Sequence, residues 1–186
     1  RQINIFRALG AELPAFAHVP MILGADGERL SKRHGAVSVT QYRDEGYLPE
    51  AMMNYLARLG WSHGDEEVFS MQQMVEWFDL AHISTSPARF NPEKLAWLNQ
   101  QYLKVADDAR LAELARPFLQ RIGCDPARGP DLIRVVGLIK ERVSTLEALA
   151  GAAAYFYKPP AAAESLRAQY YTADVREPLT ILRNRL

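Results

Sequence analysis

Seven consecutive residues, Arg29-Leu30-Ser31-Lys32-Arg33-His34-Gly35, place a hydroxyl, three cations and an imidazole on one short stretch. They follow an apolar run, Phe16 to Leu23, and a turn built by Gly24-Ala25-Asp26-Gly27. Such a loop suits the holding of a polyphosphate while charge builds on it, because preorganised cations stabilise the oxygens of a departing pyrophosphate. Taken alone, the same residues also fit an ordinary solvated basic turn, since short motifs match by chance. Other phosphate devices do not fit: the spacing from Gly24 and Gly27 to Lys32 is not that of a P-loop, and no G-x-G-x-x-G occurs. His34, His63 and His82 lack partners at metal-ligand spacing, so no metal site is assigned.

The flanking sequence decides between these readings. Phe16-Ala17-His18-Val19-Pro20-Met21-Ile22-Leu23 precedes the basic stretch, and Gly35-Ala36-Val37-Ser38-Val39 follows it. Tyr42-Arg43-Asp44-Glu45-Gly46-Tyr47-Leu48-Pro49-Glu50-Ala51, Leu56-Ala57-Arg58-Leu59-Gly60-Trp61-Ser62-His63-Gly64-Asp65 and Ser86-Pro87-Ala88-Arg89-Phe90-Asn91 come next in order. Over about its first hundred residues the chain resembles the bacterial glutamyl-tRNA synthetases of class I, with Arg29-Leu30-Ser31-Lys32-Arg33 in the place of the signature loop. One departure is Arg29, where the class usually has Lys. The charge is kept, but a planar fork replaces a compact ammonium.

The resemblance implies that Lys32 contacts the ATP phosphates as the catalytic cation, with Arg29 beside it. Loss of one such contact costs about 3 to 4 kcal/mol of transition-state stabilisation. Ser31 is expected to shape the loop through local hydrogen bonds rather than to act as a nucleophile. His34 either orients phosphate and loop or is structural. Arg43, Arg58, Arg89 and Lys94 are candidates for contacting a tRNA backbone, Arg89 because its loop feeds the Asn91 start of a helix. Trp61, Trp97 and Tyr102 could stack on bases, although burial in a helical core is the commoner fate. The implied substrates are ATP, with Mg2+ accompanying it, L-glutamate and tRNA(Glu). The competing function is a noncatalytic helical RNA-binding or protein-adaptor module. Two relatives fit less well: enzymes that attach glutamate to a tRNA base generally lack the helical anticodon region, and glutaminyl enzymes carry a β-rich C-terminal domain.

These residues must be positioned by short elements. Ile3, Ile5, Phe6 and Leu9 read as a helix end stopped by Gly10. Phe16 to Leu23 and Ala36 to Val39 read as strands flanking the basic loop. Pro49-Glu50 opens a helix with Met52, Tyr55, Leu56 and Leu59 on one face; Ser70 and Gln73 form a capping box ahead of Met71, Met74, Val75 and Phe78, a stripe expected in the core. Asn91-Pro92 opens a third helix with Leu95, Leu98 and Tyr102. Beyond Asp107 the pattern is helical throughout: Leu111, Leu114, Ala115, Phe118 and Leu119, with Pro117 expected to kink or divide the run. Leu132, Val135, Val136, Ile139 and Val143 follow, then Leu146, Leu149, Ala153 and Phe156 behind a Ser144/Glu147 capping pair. Lys158-Pro159-Pro160 ends that run, leaving a short Ala-rich helix and a last one after Asp174.

The expected fold is mainly α, with a small β element at its start. Residues 1–40 would end a catalytic domain, 41–105 would form a helical stem-contact domain, and 106–186 an incomplete all-α anticodon-binding bundle. The chain reads as a fragment, since it opens and closes inside apolar patterns, and alone it is expected not to charge tRNA.

Composition bounds the rest. With 48% apolar residues in 186, a proper core is available. No apolar run approaches the roughly 20 residues of a spanning helix, so no membrane role is expected. The single Cys124 forbids an internal disulfide and fits a reducing cytoplasm. Lys plus Arg and Asp plus Glu balance at 22 each, so any RNA is bound by a patch and not by bulk charge. A monomer is the expected state.

Overall fold

Six of the helix starts are set by side chains that stand in for a missing backbone acceptor. Ser38, Ser70, Asn91, Asp107, Asp131 and Thr145 each accept a hydrogen bond from a backbone N–H in the first turn of the helix that follows. The computed structural model describes residues 1–31, 38–158 and 164–185. Its helices are α1 (Gln2–Ala8), α2 (Val39–Asp44), α3 (Pro49–Arg58), α4 (Met71–Trp77), α5 (Pro92–Val105), α6 (Asp108–Arg121), α7 (Leu132–Ile139), α8 (Leu146–Tyr157), α9 (Glu164–Tyr170) and α10 (Ala173–Arg185). Two short strands, β1 (Ile22–Leu23) and β2 (Ala88–Arg89), pair in parallel. The fold is mainly α, as the sequence implies.

Two apolar clusters hold α3 and α5 through α8. In the first, Met52, Tyr55 and Leu59 from α3 and its end pack with Leu95 and Leu98 of α5. In the second, Leu48, Ala51 and Leu103 join Leu111, Ala115 and Leu119 of α6, Val135 and Val136 of α7, and Leu149 and Ala153 of α8. Each fully buried Leu contributes about 1.5 to 3 kcal/mol. The packing therefore runs across residue 105 without a break, and α3 and α5 serve both clusters.

A buried polar joint reinforces that crossing. Asn99 is wholly buried on α5, on the same face as Leu95, Leu98 and Tyr102. Its Oδ1 accepts from the Leu48 N–H (2.8 Å) and its Nδ2 donates to the Ser144 carbonyl (2.6 Å). Beside it the Leu146 N–H donates to the Gly46 carbonyl (2.9 Å). Gly46 has a φ of 88°, and a Cβ there would lie 2.7 to 2.8 Å from the backbone nitrogens of Glu147 and Leu146, so only glycine fits.

Several local expectations need correction. Only Ile22–Leu23 of the Phe16 to Leu23 run is strand: the pairing with Ala88 reaches back no further than the Met21 carbonyl, and Pro20 cannot donate to a ladder. Val39 is not strand but the first residue of α2, since Ser38 caps a helix there; Ala36 and Val37 lie outside the described residues. The start of α8 is capped by Thr145 and not by Ser144. Pro117 does not divide α6, whose flanking turns are held by the buried Ala115, Phe118 and Leu119 against the roughly 3 kcal/mol cost of an internal proline. The stripe on α4 is not core: Val75 is 73% exposed and Met71 and Phe78 are also exposed, although the Ser70/Gln73 capping box is present. The Ala161 to Ala163 cluster lies outside the described residues.

A second polar knot pins the loop between α3 and α4. Tyr102 donates to the Phe69 carbonyl (2.6 Å), with Asn54 Oδ1 at 2.7 Å, while Asn54 accepts from the Phe69 N–H (3.1 Å) and donates to the Glu67 carbonyl (3.1 Å). Burial, assisted by the charge of Glu50, pushes the Tyr102 hydroxyl up to about 12 from its ordinary 10.0. A raised phenol pKa stabilises the fold fully below the unfolded value and stops doing so as pH climbs through the folded one. A Tyr102→Phe variant should therefore lose about 1 to 2 kcal/mol in urea unfolding at neutral pH. The difference from wild type should shrink between pH 10.0 and about 12; an unchanged neutral-pH midpoint would contradict the knot.

Candidate functional site

The basic stretch leaves a small β patch. Gly24 donates to the Glu28 carbonyl (2.8 Å), Gly27 to the Gly24 carbonyl (3.1 Å), and Glu28 to Asp26 Oδ1 (3.0 Å), closing a turn in which Gly27 has a φ of 84°. The returning chain pairs again with β1: Leu30 donates to the Ile22 carbonyl (2.9 Å), and Arg29 bridges Leu23 in antiparallel sense. On the opposite side Leu23 pairs with Arg89 of β2. Register thus puts Arg29 and Arg89 on the same face as Leu23, two strand spacings or about 9 to 10 Å apart. The Arg89 guanidinium also lies against the turn, 3.7 Å from where a Gly27 Cβ would stand. Arg29 is exposed and Ser31 half-buried. Lys32, Arg33 and His34 lie outside the described residues.

A second locus opens at the start of α5. Arg58, Arg89 and Lys94 line one cavity of about 220 Å³ together with Tyr55, Glu67 and Asn91. The Asn91 side chain caps α5 through the Lys94 N–H (3.1 Å), and the Tyr55 hydroxyl accepts from the Asn91 N–H (2.7 Å). Lys94 Nζ pairs with Glu67 Oε2 at 2.5 Å and sits 4.6 Å from the centre of the exposed Trp97 ring. The hydrogen bond from Lys94, with the charges of Lys94 and Arg58, holds the Glu67 carboxyl below its usual range against a small burial penalty. Arg58 Nη1 is buried without a hydrogen-bond partner. Three cations and one carboxylate line the cavity, and the Arg58 Nη1 donor is unused. An unsatisfied buried donor costs about 1 to 3 kcal/mol, which an anionic oxygen in the cavity would recover.

Of the four backbone-contact candidates, the structure gathers Arg58, Arg89 and Lys94 at one cavity and leaves Arg43 elsewhere. Arg43 is exposed at the end of α2 and pairs with its neighbour Asp44 (3.0 Å). Trp61 is buried against Phe69, and Tyr102 is committed to its knot, so both pack rather than stack on a ligand; Trp97 alone of the three keeps an exposed ring. Sequence reasoning missed Glu67, which lies in a loop with no distinguishing pattern. It also missed Asn99, although a polar residue between Leu95, Leu98 and Tyr102 on one helical face was a usable signal. Among the described residues no cluster of three or more His, Cys, Asp or Glu side chains is spaced to hold a metal, and no helix is long and apolar enough to cross a membrane.

Comparison with known proteins places this geometry in context. The family model described as tRNA synthetases class I (E and Q), catalytic domain, matches residues 1–97, and an anticodon binding domain model matches residues 110–186. The chain is 68% identical over 188 residues to a glutamate–tRNA ligase of Nitrosospira multiformis and 65% identical over 186 residues to that of Nitrosomonas europaea, in each case over 100% of this chain and 40% of the relative. Among solved structures, a glutamate tRNA ligase from Elizabethkingia meningosepticum in complex with its amino acid superposes with a TM-score of 0.71 at 29% identity, covering 97% of this chain and 40% of that one. The glutamate-tRNA synthetase of Elizabethkingia anophelis gives 0.71 at 30% identity, over 96% and 39%. The chain thus spans about 40% of the length of the proteins it matches. With the matched catalytic segment alone covering residues 1–97, more than half of the chain, it belongs to the class I tRNA synthetases of the glutamate and glutamine type.

Proposed function

We propose that this chain is the ATP-loop and tRNA-docking portion of an enzyme that activates L-glutamate with ATP and transfers it to the 3′ end of tRNA(Glu). The observation that carries the reading is the basic stretch entering from the β patch, with Arg29 paired to Leu23 and Arg89 alongside. In the first step a glutamate carboxylate oxygen attacks the α-phosphorus of ATP, the bond to the bridging oxygen breaks, and pyrophosphate leaves. Lys32 and Arg29 neutralise the charge growing on the leaving oxygens, Ser31 shapes the loop, and His34 borders it. Mg2+ enters with ATP as part of the substrate. In the second step a terminal ribose hydroxyl of tRNA displaces AMP from the adenylate.

In this scheme residues 1–40 end the catalytic domain, 41–105 contact the tRNA stem, and 106–186 belong to the anticodon-binding unit. The cavity of Arg58, Arg89 and Lys94 receives backbone phosphates, supported by the unpartnered Arg58 Nη1. Arg43 offers a further, separate contact. The enzyme acts in the cytoplasm as a monomer. The similar proteins of Nitrosospira multiformis and Nitrosomonas europaea are glutamate–tRNA ligases, which favours glutamate over glutamine as the amino acid.

Charging assays on the full-length polypeptide test the reading. Radiolabelled glutamate should be transferred to tRNA(Glu), and Lys32→Ala should lower kcat/KM by about two to three orders of magnitude. A wild type that charges no tRNA would reject it in favour of an RNA-binding adaptor. Arg58→Ala and Lys94→Ala should each weaken tRNA binding and reduce the slope of log affinity against log salt by about one. A slope identical to wild type in both variants would remove the cavity from the RNA interface.

A further inference from the structure

The cavity at the start of α5 already holds an anion of its own. Lys94 is engaged there on two sides, by Glu67 Oε2 at 2.5 Å and by the face of the Trp97 ring, whose centre is 4.6 Å away. Glu67 is delivered to this place by a fixed backbone. Its carbonyl accepts from Asn54 Nδ2 (3.1 Å), and two residues on, the Phe69 N–H donates to Asn54 Oδ1 (3.1 Å) while the Phe69 carbonyl accepts from Tyr102 (2.6 Å). Asn54 is itself buried on α3, so the loop cannot carry the carboxylate away without breaking that knot. The side chains are less confined. Those of Lys94 and Glu67 are 42% and 41% exposed, so rotation of the Glu67 side chain takes its carboxylate into water while the backbone stays where it is.

A phosphate entering between Arg58 and Lys94 meets that carboxylate. Two anions sharing about 220 Å³ repel each other, and one ammonium does not serve both at full strength. We infer that Glu67 is an internal competitor for the phosphate: it occupies Lys94 in the free protein, turns away when a backbone phosphate binds, and so lowers the affinity of the site. This rests on the reading of the cavity as a tRNA backbone site. The Trp97 ring keeps Lys94 in place once the carboxylate leaves, because a ring face attracts an ammonium. Arg58 Nη1, without a partner, supplies a donor that does not have to be freed first. An ion pair serving the fold alone predicts the opposite sign, since loss of Glu67 would then loosen Lys94 and weaken binding.

Binding of tRNA(Glu) to the full-length enzyme, followed by fluorescence anisotropy at low and high salt, separates the two. Glu67→Gln is nearly isosteric, removes the charge and leaves the backbone bond to Asn54 in place. It should lower the tRNA Kd by about twofold to fivefold at low salt, the range of one exposed ion pair, with a gain that narrows as salt is added. Tighter binding cannot come from a damaged fold, so the direction of the change is itself informative. Glu66→Gln makes the same charge change one residue away and should stay within about 1.5-fold of wild type. In a Lys94→Ala background the gain from Glu67→Gln should shrink, because the two side chains act on each other. A Glu67→Gln enzyme that binds tRNA no more tightly than wild type would overturn the inference, as would an equal gain from Glu66→Gln or an undiminished gain without Lys94. ATP affinity should not change; a gain for ATP with none for tRNA would assign the competition to the nucleotide and also overturn it. Should Arg58→Ala and Lys94→Ala both bind tRNA as wild type does, the cavity reading beneath the inference fails instead, whatever Glu67→Gln does.

Discussion

The buried amide of Asn99 is the constraint on which the arrangement most depends. It satisfies a backbone donor at the entry to α3 and a backbone acceptor just before α8, positions 51 and 45 residues away in the chain. The amide and its Leu48 donor are removed from water and Ser144 is half-buried, so the Leu48 N–H and the amide have no ready alternative if the geometry slips. Around it Leu48, Ala51 and Leu103 pack against the helices beyond residue 105. Apolar burial supplies most of the binding strength between the two halves, and the amide fixes their register, because hydrogen bonds are directional where apolar contact is not.

The function-bearing surface grows from that frame. The turn at Gly24 to Glu28 folds the chain back on β1, and the parallel pairing with β2 brings in Arg89 from more than sixty residues away. Arg89 then belongs to two places at once, the face of the β patch and the cavity with Arg58 and Lys94. Positive charge is concentrated locally although the chain as a whole is balanced at 22 cations and 22 anions. Local concentration gives a chain of balanced charge one patch that attracts anions without a bulk positive field.

How much of this was legible in the sequence follows from the physics of each feature. Helices with a strong apolar period and a capping side chain, such as Pro92–Val105 behind Asn91, are encoded locally and were readable. The Phe16 to Leu23 run is shorter as a strand than its pattern implies because strand formation needs a partner, and sequence cannot show that the pairing stops at Met21. The α4 stripe had the right period and a real capping box, yet Val75 remains exposed, since periodicity shows that a helix can bury a face and not that a neighbour covers it. The gathering of Arg58, Arg89 and Lys94 depends on a parallel pairing and on the Glu67 loop, neither of which leaves a local trace. Arg43, equally plausible by type, ends up apart from them.

Packing and the Asn99 joint together should make α3, α5, α6 and α8 one cooperative unit across residue 105. Native-state hydrogen exchange on the full-length enzyme tests it most directly. Amides in the middle of α3 and α5 should exchange with the same free energy, and the same denaturant dependence, as those in α6 and α8. If the α6 and α8 amides open together at a free energy several kcal/mol lower, while α3 and α5 stay protected, the two halves are independent and the joint does not couple them.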